Sequence, residues 1–361
     1  MAARLRLWRL RLDRAPSRTA HGVVAVAERL VVELTDGTHA GFGELAALPD
    51  PTYDNETLLL ERVALEHYLL PRLTAPWPAA IAEALAPIRG HRAARCALSE
   101  AAWDLTARRH GEPLWQLLGG RPSPVPRGIA LGIDEPEATL RAVEDAIAAS
   151  HQRIKLKVSP ASPLWLLAEV RARTPASVQL AADANGSFEA LSDPTLRALD
   201  ALGFDVIEQP LPPDDLVANA EAARRLATPV CLDESIRHPA DLETLLALGA
   251  RPWLNLKLAR LGGYEPALDL LARARDEGLH CLVGGMYETA IGRAHALVLA
   301  TLPGIDRPGD ISASSRYGHA EPTQPLEPEP DGWFAPWSTP GIGRTLDHDG
   351  AELLVERALE A

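Results

Sequence analysis

Five short β-prone segments recur at nearly constant intervals in the middle of the chain, and each carries a charged residue at or near its end. They are Arg153-Ile-Lys-Leu-Lys-Val158, Ala182-Asp-Ala-Asn185, Val206-Ile-Glu-Gln-Pro210, Cys231-Leu-Asp-Glu-Ser235 and Leu254-Asn-Leu-Lys-Leu258. From Lys157 to Asp183, Glu208, Asp233 and Lys257 the differences in residue number are 26, 25, 25 and 24. One strand, one helix and two short loops fill a step of that size. The interval therefore predicts consecutive βα units with parallel strands, whose carboxyl ends collect the five charges. In a closed barrel of such units that edge carries the catalytic groups.

Around one mouth the order is then lysine, acid, acid, acid, lysine. Three carboxylates with no His or Cys beside them make a hard, oxygen-only site, which suits Mg²⁺ better than zinc. Without a cation they repel one another and drive a pKa upward. A metal on Asp183, Glu208 and Asp233 explains the cluster, although each acid alone reads equally well as a strand-end or helix-capping residue. A lysine titrates at about 10.4 and is a poor base at neutral pH. Lys155 beside Lys157, together with a nearby metal, penalises the ammonium and predicts a lowered pKa for Lys157.

The ordered set Lys155-x-Lys157, Asp183-Ala-Asn185, Ile207-Glu-Gln-Pro-Leu211, Leu232-Asp-Glu-Ser235, Asn255-Leu-Lys257 and Arg260-x-Gly262-Gly263 resembles the enolase superfamily. Within it, Gly284-Gly-Met-Tyr-Glu-Thr-Ala-Ile-Gly-Arg-Ala-His295 and Pro308-Gly-Asp-Ile-Ser-Ala-Ser-Ser-Arg-Tyr317 resemble the o-succinylbenzoate synthase / N-acylamino acid racemase group. The resemblance implies an α/β fold, a (β/α)7β TIM-like barrel with an N-terminal α+β capping domain. It implies Lys157 and Lys257 as the catalytic pair and Mg²⁺ or Mn²⁺ on Asp183, Glu208 and Asp233. Arg260 stands where the racemase-competent branch carries an arginine, although a surface loop residue reads there too. Of the remaining supporting positions, Asn185 reads as assisting the metal or a bound water, Glu234 equally as support for its neighbouring ligand or as barrel packing, and Lys155 equally as tuning Lys157 or as a solvated neighbour. It also implies a homo-oligomer acting on a small-molecule carboxylate. The general chemistry, a lysine base beside Mg²⁺ with an ene-diolate, is the established example for enolase-type sites.

Two outcomes fit such a site. In dehydration, Lys157 removes a proton and returns it to a departing hydroxyl while Lys257 stays cationic; in racemisation, both lysines exchange protons with one carbon. The first is the expected activity, converting 2-succinyl-6-hydroxy-2,4-cyclohexadiene-1-carboxylate to o-succinylbenzoate in menaquinone biosynthesis. The second, on N-succinylamino acids or other N-acylamino acids, or on dipeptides as an epimerase, is the alternative. A carboxylate-binding barrel without activity would have no need to keep both lysines and all three acids. Ala130 where a serine is common, Leu258-Ala259 for Pro-Gly, Gly186-Ser-Phe188 for Ser-Ala-Tyr, and Gly318 for a tryptophan depart from the group, which bears on substrate and not on the metal triad. Arg293 and His295 read as structural.

A chain of 361 residues with 47% hydrophobic and 24% charged residues suits a soluble enzyme of about two domains. Its net charge of −13 disfavours nucleic acid and anionic membrane as partners. Cys96, Cys231 and Cys281 have no CxxC spacing and read as reduced thiols in a cytoplasmic protein, with Cys231 and Cys281 buried in barrel strands. No apolar run reaches the roughly 20 residues that span a bilayer.

Before the barrel, residues 4–43 alternate as strands of a meander, with Arg14-Ala-Pro-Ser-Arg-Thr-Ala-His21 as a loop. A second loop, residues 45–55, carries Tyr53. The resemblance implies that both loops reach over the barrel mouth. Gly41-Phe-Gly43 lacks the helix that phosphate binding needs and reads as a turn pair. Residues 94–110 space Ala97, Leu98, Ala101, Ala102 and Leu105 as a helix. The breaker cluster at 119–126 divides a capping domain, 1–120, from a barrel, 121–318, whose last strand is expected at 310–314. The segment 319–361, with Trp333 and Trp337, is expected to pack back on the cap, its end reading as strand or short helix.

Overall fold

Alternating leucines at the N-terminus have two destinations. Leu5 and Leu7 on one face of the first strand are buried against helices, while Leu10 and Leu12 on the other join the core of the second domain. The structure, a computed structural model, describes residues 3–19, 22–317 and 320–359, and side chains outside residues 13–27. Strands β1 (Arg4–Thr19), β2 (Gly22–Thr35) and β3 (Ala40–Leu45) form an antiparallel meander. The first expected loop is corrected in part: its backbone continues β1 as far as Thr19, which pairs with Gly22, and a register shift between Asp13 and Ser17 accommodates Pro16. Ala20 and His21 lie outside the described residues, as do Gly318 and the loop's side chains.

Helices α1 (Leu58–Ala64), α2 (Pro78–Leu85), α3 (Arg92–His110) and α4 (Leu114–Leu117) complete the cap. Arg108, Arg109 and His110 suit the negative end of α3, and Gly111 at φ 74° stops it in the left-handed region. Gly41 and Gly43 are not a turn pair, as the sequence suggested. They lie inside β3 where α3 presses on the sheet, and a Cβ would come within 2.3 Å of Ala101 O and 2.1 Å of Ala97 O respectively.

The barrel follows: β4 (Val125–Pro126), β5 (Gly128–Leu131), α5 (Pro136–Ala148), β6 (Arg153–Lys157), α6 (Leu164–Arg173), β7 (Gln179–Asp183) and α7 (Pro194–Asp200). It continues through β8 (Val206–Glu208), α8 (Leu216–Arg225), β9 (Val230–Leu232), α9 (Pro239–Ala247), β10 (Trp253–Leu256), α10 (Leu258–Leu261) and α11 (Tyr264–Asp276). Next come β11 (Cys281–Val283) and α12 (Ala290–Ala300). Strands β5 to β11 are neighbours in sequence order in one curled parallel sheet, so the βα reading of the interval holds.

The eighth strand does not form. Residues 310–314 run without ladder pairing into a 3₁₀ turn at Ser314–Tyr317. Pro308 offers no N–H, and the segment is held instead by a bridge from Ile305 to Cys281 and by Asp310 N donating to Val283 O at 3.0 Å.

After Tyr317 the chain returns to the cap. β12 (Trp333–Phe334) pairs with β4, Ile342 N donates to Asp104 Oδ1 at 2.7 Å, and Trp115 Nε1 donates to Trp337 O at 2.8 Å. The last element, β13 (Glu352–Ala358), is a strand antiparallel to β1. Cap and barrel are also pinned by buried polar contacts. Glu44 of β3 accepts from Thr289 N, Thr289 Oγ and Gly292 N at the start of α12, at 3.0, 2.6 and 3.2 Å. The three cysteines are buried and unbridged. Among the described residues no helix is long and apolar enough to cross a membrane.

Candidate active site

Side chains two apart on a strand share a face, so Arg153, Lys155 and Lys157 of β6 point the same way. Lys157 and Asp183 close β6 and β7 in register, Asp183 and Glu208 close β7 and β8 in register, and Asp233 and Lys257 stand one residue past β9 and β10. All five therefore meet at one edge of the sheet. Lys157 and Lys257 approach the mouth from strands separated by three others.

The carboxylates are held by cations. Lys155 Nζ lies 3.1 Å from Asp183 Oδ2, 3.0 Å from Glu208 Oε1 and 2.7 Å from Asp310 Oδ2. Arg153 donates to Glu208 Oε2 and Asp310 Oδ1, both at 2.9 Å. Lys157 donates to Asp183 Oδ2 and Asn185 Oδ1, both at 2.7 Å. On the far side Lys257 donates to Asp233 Oδ2 at 2.9 Å and Tyr53 OH at 3.0 Å, while Arg260 pairs with Asp233 Oδ1 and donates to Tyr53 OH at 2.6 Å. Asn185 Nδ2 donates to Glu234 Oε1 at 2.7 Å. Buried ions are tolerated only when paired in this way.

These neighbours divide the acids. Burial raises the pKa of every carboxylate here, but Lys157 and Lys155 overcome it at Asp183, and Arg260 and Lys257 overcome it at Asp233, leaving both below the usual range. At Glu208 burial wins despite Lys155, with Asp183, Asp310 and Asp233 adding to it, and the pKa is pushed up to about 7. Glu234 is raised by burial and by Asp233. The sequence expects Lys155 and a nearby metal together to lower Lys157; the chain's own groups by themselves give the other direction. Burial and Lys155 do depress it, but the Asp183 carboxylate outweighs them and the pKa is raised. Engaging Asp183 elsewhere is what would release a neutral amine.

As they stand, no three acidic or His/Cys side chains among the described residues converge on one point as metal ligands, and ammonium and guanidinium groups pair with the carboxylate oxygens. The donor set nevertheless fits a hard divalent cation. Asp183, Glu208 and Asp233 are all-oxygen donors on or just past adjacent strands, and a further acceptor, Asn255 Oδ1, is buried without a hydrogen-bond partner.

Several contributors were not singled out in the sequence. Asp310 lies 26 residues after Gly284, itself 27 after Lys257, so extending the interval would have found it. Arg153 shares the two-residue spacing of Lys155 and Lys157. Asn255, which donates to Glu208 Oε1 at 2.9 Å, had no such signal. Tyr53 comes from the second cap loop, which does reach the mouth. Ala130 pairs with Lys155 across β5 and β6. Arg293 and His295 fasten α12 to its surroundings: Arg293 binds Glu321 at 2.7 Å, and His295 contacts Tyr264 OH at 2.9 Å and Phe42 O at 2.8 Å.

Comparison with known proteins gives a consistent result. Residues 4–119 match the mandelate racemase / muconate lactonizing enzyme N-terminal domain, and residues 138–350 match the enolase C-terminal domain-like family. The chain is 40% identical to an N-succinylamino acid racemase of Thermus thermophilus, over 95% of this chain and 93% of that protein. It is 36% identical to an o-succinylbenzoate synthase of Geobacillus kaustophilus, over 94% and 92%. A solved structure described as a probable mandelate racemase from Alicyclobacillus acidocaldarius is similar across both full chains, at 35% identity and TM-score 0.90.

Proposed function

The chain belongs to the enolase superfamily, and from that premise we propose that it is a Mg²⁺-dependent o-succinylbenzoate synthase. Its substrate is then 2-succinyl-6-hydroxy-2,4-cyclohexadiene-1-carboxylate, which supplies menaquinone biosynthesis. The observation that carries the reading is the unequal pair of lysines across an acid-lined mouth. The Lys157 side chain keeps 30% of its surface exposed, whereas Lys257 keeps 6% and shares Asp233 with Arg260. An accessible amine suits proton transfer, and a buried, doubly anchored ammonium suits steady electrostatic support.

Asp183, Glu208 and Asp233 would hold the cation, which supplies positive charge where the substrate carboxylate gains negative charge as its α-proton leaves. Lys157, as the neutral amine, takes that proton from the ring carbon bearing the carboxylate. The electron pair left behind expels the hydroxyl from the neighbouring carbon, the ring becomes aromatic, and the Lys157 ammonium returns the proton so that water departs. Lys257 remains an ammonium throughout.

One observation favours a second reading as an N-succinylamino acid racemase. Lys157 and Lys257 enter the mouth from strands separated by three others, the placement on two sides of the site that two-base exchange at one carbon requires. The relative named as such a racemase, at 40% identity, supports the same reading.

The deciding experiment measures dehydration by the purified, folded protein with Mg²⁺ and again after EDTA, alongside racemisation of N-succinylamino acids. Fast, metal-dependent dehydration sustains the synthase. Absent dehydration with metal-dependent racemisation transfers the assignment to the racemase, and activity indifferent to EDTA would remove the metal from either.

A further inference from the structure

Asn185 sits between two groups of opposite hydrogen-bonding character. Its backbone is left-handed, φ 45°, a conformation asparagine tolerates better than most residues, and its N–H is held by Asp183 Oδ1 at 3.1 Å. From that fixed root the side-chain amide reaches Lys157 Nζ with its oxygen and Glu234 Oε1 with its nitrogen, each at 2.7 Å. An ammonium only donates and an ionised carboxylate only accepts, so this orientation satisfies both. The constraint changes when Lys157 is a neutral amine. Its nitrogen then has a lone pair, and a reversed amide could cap that lone pair with an N–H.

We infer that Glu234 is a positioning residue for Lys157 that acts through Asn185. By accepting the amide N–H₂, it keeps the carbonyl on Lys157, so one amine hydrogen is tied to Asn185 and the lone pair is left for the substrate proton. The inference rests on the reading of Lys157 as the base. Glu234 is suited to the part: it is 4% exposed, and Asn185 Nδ2 is its one hydrogen-bond partner among the described residues, because Oε2 is buried with none. A charge held only for ion pairing would sit against a cation, and the two nearby cations, Lys257 and Arg260, pair with Asp233 instead. The carboxylate is thus used as an oriented acceptor, a role that an amide oxygen can fill.

The test compares Glu234→Gln, Glu234→Leu, Asn185→Leu and the double variant in Mg²⁺-loaded full-length enzyme. Glu234→Leu should lower kcat by about 10²-fold, the scale of a misaligned reacting group, with KM and Mg²⁺ affinity within about threefold of wild type. Glu234→Gln should restore kcat to within about fivefold, since its carbonyl still accepts from Asn185. The double variant should be no slower than Asn185→Leu alone, because the two residues act in series.

A Gln variant as slow as Leu, or weakened Mg²⁺ binding in both, would show that the charge itself matters and overturn the inference. A Leu variant as fast as wild type would also overturn it. Crystal structures provide a readout independent of turnover: the contact between Lys157 and the Asn185 carbonyl should persist with Gln and be lost with Leu. A wild-type protein inert toward both substrate classes would sink the proposed function, and loss or persistence of that contact in the Leu variant would still decide the linkage.

Discussion

Lys157 and Lys257 are the same side chain, and the barrel gives each an aspartate within 3 Å, yet the two sides of the mouth are built differently. On the Lys157 side the hydrogen-bond partners Asp183 and Asn185 come from the barrel itself, from β7 and the turn after it. On the Lys257 side the capping domain intrudes. Tyr53 joins Lys257 to Arg260, and Asp233 is shared by both cations. Burial pushes the Tyr53 phenol well above its usual range even though Arg260 opposes that shift, so it stays a neutral O–H. The contrast gives one residue type two settings: the cap closes over Lys257 and leaves Lys157 partly exposed, the difference on which the proposed base and fixed cation rest.

The largest effect that could break this contrast comes from deleting the amines. Lys157→Ala should reduce the dehydration kcat by at least about 10³-fold, within the range of a lost general base. Lys257→Ala should cost less, about 10- to 10²-fold, if it acts only as a cation. Equal losses, measured by steady-state kinetics on the same substrate, would mean that both lysines move protons and would favour the racemase.

Crowding the buried lysine is the next test. A Cβ at Gly284 would lie 2.7 Å from Lys257 Cε and 2.5 Å from Asn255 Oδ1. Gly284→Ala should therefore destabilise the fold by about 1–3 kcal/mol through overpacking and should impair the Lys257 side selectively. Thermal unfolding together with kcat would check both parts. Tyr53→Phe should have a smaller effect, about 10-fold in kcat, since one neutral hydrogen-bonding group is lost from charged partners. A Tyr53→Phe enzyme with unchanged kcat would mean that the cap covers the site without tuning it.

The smallest effect concerns pH and the junction that holds the cap in place. Burial lowers the His295 pKa to about 3, although the Phe42 carbonyl and its 2.8 Å contact oppose the shift. In the unfolded chain the imidazole titrates at about 6.5. Between those values the unfolded state binds the proton and the folded state does not, so stability is full above about 6.5 and falls as the pH drops toward about 3. The melting temperature of His295→Gln should depend less steeply on pH than that of wild type between about pH 6.5 and 4. Parallel slopes would exclude His295 as a source of acid lability.

Much of this was legible in the chain because periodicity is a local property. The step of about 25 residues foretold parallel strands, their order and the edge on which Lys157, Asp183, Glu208, Asp233 and Lys257 meet. Residues 94–110 announced a helix by spacing, and Gly111 its end. Extending the same step would have reached Asp310. Harder to read were Pro16 within a continuous strand, Gly41 and Gly43 under a helix, and an eighth barrel segment without a ladder. In each case the outcome depends on what packs from elsewhere, and neighbouring residues carry no record of it.

The sequence by itself therefore determined which charges the molecule brings to one place, since strand length and helix length set where each strand ends. Only the tertiary structure decided what those charges do. Whether Lys157 is raised or lowered depends on a competition between Asp183, Lys155 and burial, and whether Lys257 is open or covered depends on a tyrosine 204 residues away. Electrostatic energy depends on distance and local dielectric through space, and those quantities exist only once the chain has folded.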